Sequence, residues 1–195
     1  ITLMALKKRP NPDEPVGLFG IKGTVGHAVA QGLLAHGVSV VVSATGRTKE
    51  MAEALGCTVT SHADLLLSCS LLVGAATNGP VLAAQDIVQA TTIVDLALPP
   101  TIGPGRTRHK VLTVPGETLY LSGKITASFW GRLWLVFANY GRGCVFACFA
   151  EPAAKTVFDL PDTIGQRRLS LETVNEYGRA LTALGFSPKC QSHTR

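Results

Sequence analysis

The sequence has no CxxC pair, and its five histidines, His27, His36, His62, His109 and His193, do not fall at zinc-ligand spacing. A structural metal is therefore not expected. The five cysteines, Cys57, Cys69, Cys144, Cys148 and Cys190, make no even, closely spaced framework. Reduced thiols in a cytoplasmic protein are expected instead of a disulfide scaffold. A secretory signal peptide and a membrane span are not expected either. The most apolar run, "FWGRLWLVFANYGRGCVFACFA", is broken by Arg132, Asn139, Arg142 and three glycines. No aromatic residues are interleaved with the basic ones, so nothing reads as a nucleic-acid motif, and no internal repeat is visible.

What is present is a globular composition. The chain has 195 residues, 46% hydrophobic and 16% charged, enough for one domain with a real core. It opens on Ile1 and not on methionine, as a trimmed or partial product would. The formal charge of +5 is concentrated in "GRTRHK" (Gly105 to Lys110) and "GQRRLS" (Gly165 to Ser170). Such runs are usually solvated loops. An acidic protein partner, a phosphorylated ligand and nucleic acid are the other readings.

Residues 1–15 read as a lead-in or linker ending in proline-rich coil. "VGLF" is a short buried-strand run, and a helical pattern follows from about Val25 to His36. "VSVVVS" is a β-branched strand, Met51 to Leu55 a short helix, and "CTVT" a strand. "ADLLLS" reads as helix, "LLVGA" as strand, "PVLAAQDIVQ" as a helix started by proline, and "TTIVDLAL" as strand. This alternation predicts an α/β fold, a Rossmann-like doubly wound parallel sheet with a helical C-terminal segment. Residues 16–125 form the nucleotide-binding domain in this reading, and residues 126–195 the helical segment. "VLTV" and "TLYL" read as a strand pair, followed by helices from about Ile125 to Asn139, Gly143 to Phe158 and Leu171 to Leu184. Ser170 is a good N-cap for the last helix and Gly185 a good stop.

The strongest local signal is "GLFGIKGTVGHA", where Gly20, Gly23 and Gly26 make G-x-x-G-x-x-G between a strand and a helix. Glycines there let the backbone turn tightly and approach a pyrophosphate, and the helix offers unpaired N–H groups and a positive dipole end. The spacing differs from the strict G-x-G-x-x-G pattern, and a glycine turn that serves only packing is the alternative. Gly20, Gly23, Thr24, Val25 and Gly26 are the expected cofactor contacts. The second strand runs into "VVVSATGRTKE", with no carboxylate before Glu50 to take the ribose hydroxyls of NAD. Arg47, Thr48 and Lys49 are placed to meet a 2′-phosphate, which favours NADPH, the alternative being a basic surface turn. Thr77 and Asn78 follow the "LLVGAA" strand, as contacts to the nicotinamide end or as turn formers.

"CVFACFAE" places Cys144 and Cys148 four residues apart. On a helix over 144–158 they share one face. Buried cysteines among Val145, Phe146 and Phe149 are usually small hydrophobes. A nucleophile needs a cation or a helix N-terminus to depress its pKa. Arg142 and Lys124 are candidate cations, and Cys144, nearer the expected helix start, is slightly favoured on that argument.

From Val16 onward the chain resembles the long-chain acyl-[acyl-carrier-protein] reductases, which form fatty aldehydes. The likeness is carried by "GIKGTVGHA", "FACFAE" and "LSLETVNEYGRALTALGFSP", and covers most of residues 16–190. It implies that Cys148, inside "FACFAE", carries the acyl group as a thioester, and it assigns Cys144 no role. The family's N-terminal domain, which forms much of the acyl pocket, has no counterpart here. The turn after the fifth strand is "DLALPPTIG" in place of the family's glycine-rich one, Lys124 stands where a small residue is usual, and the stretch before "FACFAE" is shorter. Trp130, Trp134 and Phe137 fall at helical spacing, as a core face or as the lining of an acyl tunnel.

The resemblance implies NADPH-dependent reduction of an acyl thioester, borne by acyl carrier protein or coenzyme A, to an aldehyde through a Cys148 acyl-enzyme. The basic runs would dock an acidic carrier protein. Two alternatives stand beside it. One is a shikimate-dehydrogenase-like NADP-dependent reductase of a small carbonyl compound, to which the glycine loop and "GRT" turn are also similar. The other is a non-catalytic nucleotide-binding module that works in a homo-oligomer or with a partner supplying the absent domain.

Overall fold

Short apolar β-branched runs separated by helices are best satisfied by parallel strands buried on both faces. A computed structural model of the chain has this arrangement. It describes residues 5, 9–76, 80–90, 92–97, 100–108, 112–115, 118–121, 144–163, 166, 168–188 and 193–194. For 112–115, 118–121, 144–149, 188 and 193–194 the description is of the backbone alone.

Strands β1 (Val16–Phe19), β2 (Val40–Ser43), β3 (Thr58–Thr60), β4 (Leu71–Gly74), β5 (Thr92–Asp95) and β6 (Leu112–Pro115) pair in parallel in the order β3-β2-β1-β4-β5-β6. This is the doubly wound Rossmann order, whose direction reverses between β1 and β4. A short β10 (His193–Thr194) adds antiparallel to the outer edge of β6. Helices α1 (Thr24–Ala35), α2 (Gly46–Leu55) and α3 (His62–Ser68) link the first four strands.

Strand side chains alternate between two cores, as a period of two requires. Val40, Val42, Leu71, Val73 and Val94 pack with Val29, Ala30 and Leu33 of α1 and Ala52 of α2. Val41, Leu72 and Ile93 pack on the other face with Leu65 and Leu66 of α3 and with Ile87. Ala5 is fully buried in the first core, so the lead-in contributes to packing.

Beyond β6 the chain builds a second, antiparallel sheet of β8 (Cys144–Phe146), β7 (Thr118–Leu121) and β9 (Phe186–Pro188), in that order. Helices α4 (Ala147–Phe158) and α5 (Leu171–Ala183) pack together through Ala154, Tyr177 and Ala180. The Tyr177 hydroxyl donates to the Pro161 carbonyl at 2.7 Å. The C-terminal segment is therefore mixed: its helices are joined by strands that apolar periodicity does not reveal. Pairing also crosses residue 125 in both directions, since β7 joins the second sheet and β10 returns to the first.

Three expected elements differ. "VLTV" and "TLYL" are both strands but not partners, because β6 takes the parallel slot beside β5. The stretch 80–89 holds only a 3-10 turn, Ala84–Asp86. The N–H groups of Val81 and Leu82 donate to the Thr101 carbonyl and that of Gly103 to the Leu82 carbonyl, so non-local pairing takes groups that a helix would use. The helix expected from Gly143 begins only at Ala147, because residues 144–146 pair with β7. The expected helix over 125–139, with Lys124, Trp130, Trp134 and Phe137, lies outside the described residues. Among the described residues no helix is long and apolar enough to cross a membrane.

The predicted cap of α5 is present: the Thr173 N–H donates to Ser170 Oγ at 3.1 Å, and the helix stops at Gly185 with φ +85°. Ser170→Ala should lower the unfolding free energy by about 1 kcal/mol, measured by urea denaturation, with the slope unchanged.

Candidate nucleotide site

Parallel strands aim their C-terminal ends at one edge of the sheet, and ligands of this fold sit where the strand order reverses. At that point Phe19 and Gly20 leave β1, Ser43 ends β2, and Ala75 and Ala76 leave β4. With Lys22, Gly23, His62 and Val81 they wall a cavity of about 550 Å³. The Phe19 and His62 rings stack at a tilt across it, 5.3 Å between centroids.

The glycine loop divides its labour. Gly20 has φ +89°, and a Cβ there would lie 2.4 Å from the Ala75 carbonyl oxygen. A Cβ at Gly26 would meet the Gly20 carbonyl oxygen at 2.2 Å, so α1 approaches the loop more closely than any side chain allows. Gly23 is different. Its φ is −75°, and an added Cβ would meet only the Gly20 oxygen, at an ordinary 3.5 Å. Gly23 is the N-cap of α1, with no capping side chain and no acidic residue in the first turn. A helix begun in this way presents its positive end and its first amides to an incoming anion. The residues present therefore fit a pyrophosphate.

Thr24 and Val25 open the helix, and Val25 is half exposed. The Thr24 hydroxyl donates to the Gln166 carbonyl at 3.4 Å, which brings the segment before α5 alongside the loop. Arg47, Thr48 and Lys49 lie in the first turn of α2 and not on a turn, because the helix starts at Gly46 with Thr45 as N-cap. They do not wall the cavity, and Lys49 pairs with Glu53 at 3.8 Å on the surface. Thr77 and Asn78 lie outside the described residues. Sequence reasoning missed Lys22, Ser43 and His62. Lys22 was legible as the one cation inside the glycine loop and Ser43 as the last residue of β2. His62 meets Phe19 only through the tertiary fold.

Asp95, at the end of β5, is buried, and its carboxylate accepts the N–H groups of Ala97 (3.2 Å) and Thr101 (2.8 Å). It folds the following turn back beside Gly74.

The thiols separate by position. Cys57 and Cys69 are buried; burial pushes the Cys57 thiol up to about 11 and raises Cys69 too, so neither is a nucleophile. Cys144 sits on β8, opposite Tyr120, and is not on a helix. The preference for Cys144 as the residue nearer the helix start is thereby reversed: Cys148 is the second residue of α4. Pro152, inside that helix, has no N–H to give the Cys148 carbonyl.

No protein-family profile matches the sequence, and no curated protein matches it. Among solved structures it is similar to glutamyl-tRNA reductase from Methanopyrus kandleri, with 25% identity over 53% of this chain and 30% of that one, TM-score 0.44. It is also similar to the nucleotide-binding domain of glutamyl-tRNA reductase from Thermoplasma volcanium, with 16% identity over 57% and 80% of the two chains, TM-score 0.43. A third is dipicolinate synthase from Bacillus halodurans, with 23% identity over 55% and 38%, TM-score 0.43. The chain thus spans about a third of the length of the first and third and four fifths of the second. At these scores the likeness adds nothing to the strand order, which carries the fold assignment.

The two glycines predict opposite outcomes. Gly23→Ala should fold with a loss of about 1 kcal/mol or less, yet weaken nucleotide binding about tenfold or more by crowding the phosphates. Gly26→Ala should lose stability outright, by about 1–3 kcal/mol for overpacking. Thermal melts paired with NADPH fluorescence titration separate the two.

Proposed function

We propose that the chain is an NADPH-dependent oxidoreductase that reduces an acyl thioester to an aldehyde through Cys148. In this reading residues 16–125 supply the cofactor site and residues 126–195 the nucleophile. The observation that carries the proposal is the position of Cys148 in the first turn of a twelve-residue helix, directly after a strand. A helix N-terminus favours a thiolate. The resemblance of "FACFAE" to the acyl-carrier-protein reductases supports the same residue.

Gly20, Gly23, Thr24, Val25 and Gly26 would hold the pyrophosphate of NADPH, with Arg47, Thr48, Lys49 and Thr77 as its other contacts. When bound, the cofactor supplies the hydride that turns an enzyme thioester into a hemithioacetal. The chain's own part is covalent. The Cys148 thiolate adds to the thioester carbonyl, and the carrier's thiol leaves with a proton. After reduction the C–S bond breaks, releasing aldehyde and restoring the thiolate. Capture on the protein detaches a bulky carrier before the hydride step. Acyl carrier protein or coenzyme A is the carrier, and the cytoplasm the compartment.

Incubation with an acyl-CoA in the absence of NADPH should leave an acyl adduct on Cys148 by mass spectrometry, absent in Cys148→Ala. Unchanged thioester-dependent NADPH oxidation in Cys148→Ala would refute the covalent step, and turnover of small ketones in that variant would favour direct reduction.

The first turn of α2 supports NADPH over NADH, because two cations there meet the positive end of a helix. Arg47→Ala should weaken NADPH binding about tenfold and leave NADH binding unchanged, as read by calorimetry.

A further inference from the structure

Helix α1 has a second polar feature one turn beyond the glycine loop. His27, 6% exposed, leaves Nδ1 without a hydrogen-bond partner, and Gln31, one turn further on, leaves Oε1 buried and equally unpartnered. Buried polar atoms are almost always satisfied in native proteins, so two orphans on one helix face call for an occupant. Both residues wall a cavity of about 470 Å³, closed by Met51 and Leu55 of α2 and by Arg168 and Ser170 at the entry to α5. None of its lining residues is shared with the cavity at the glycine loop.

The chemistry of the wall is one-sided. No carboxylate lines it. Arg168 offers guanidinium donors suited to an oxyanion. Ser170 caps the thirteen-residue α5, whose positive end therefore borders the same space. Burial, and secondarily the Arg168 charge, hold His27 below its ordinary pKa, so the imidazole is neutral. Gln31 Oε1 can only accept, and an occupant must bring it a hydroxyl or N–H donor. Met51 and Leu55 give an apolar floor for a short carbon skeleton.

We propose that this cavity binds a small hydroxylated oxyanion, an organic phosphate or carboxylate with a hydroxyl near its charge, held by Arg168, His27 and Gln31. Arg168 pairs with the anion, and Gln31 accepts from the hydroxyl. Glycerol 3-phosphate and malate probe the two anion types by calorimetry on the full chain, with succinate as the hydroxyl-free control. At least one hydroxylated probe should bind with a Kd of about 1 mM or tighter. Arg168→Ala should weaken it about tenfold, and Gln31→Leu, or Gln31→Met as a second variant, should abolish the preference for malate over succinate or weaken glycerol 3-phosphate similarly. NADPH affinity should stay at the wild-type value in all three variants, which separates this site from the cofactor reading. Absence of binding by either hydroxylated probe, or binding that is the same in Arg168→Ala and the Gln31 variants, would overturn the assignment.

Discussion

The close approach of α1 to the end of β1 is the constraint from which the rest of the site follows. Gly26 lies against the Gly20 carbonyl, and Gly20 lies against the Ala75 carbonyl at the end of β4. These contacts bring three backbone segments to one point on the sheet edge. They can form only where two positions carry no side chain. Once they are made, the helix start is held at the crevice between β1 and β4, and its positive end points at whatever enters. The glycines are thus structural first, and Gly23 is the position through which structure becomes binding.

Charge is distributed to suit that arrangement. The first turns of α1 and α2 contain no carboxylate, and Lys22, Arg47 and Lys49 lie around them. Carboxylates that do approach the sheet are neutralised locally, as Asp95 is by two backbone amides. The segment before α5 brings Arg168 to the same face of the sheet, against α1 and α2. Basic runs that read as solvated loops thus divide by location, and this one has a wall to work against.

The first half of the molecule was legible because its signals are local. Val38 to Ser43 is β-branched without interruption, Ser61 and Ser170 cap helices in the expected way, and the glycine spacing falls between a strand and a helix. The second half was less legible because its strands are short and pair at long range. Nothing in "CVF" alone says that it will lie beside "TLYL", and only that pairing delays the helix to Ala147 and moves its start from Cys144 to Cys148. The same holds for residues 80–89, where apolar spacing suited a helix but pairing with 101–103 consumed its backbone groups. His27 and Gln31 gave no motif, since two polar residues on a helix become conspicuous only when nothing faces them.

The strand β10 has a consequence for how the molecule is assembled. It lies antiparallel along β6, so the outermost ladder of the parallel sheet is completed by residues far along the chain. Until those residues arrive, the free edge of β6 is a template for any extended segment, including one from a neighbouring molecule. Closure of this edge is a late, non-local event whose loop entropy must be met by contacts already in place. Crowded, half-finished chains would therefore compete for one another's edges, and dilution during refolding would favour the lone molecule.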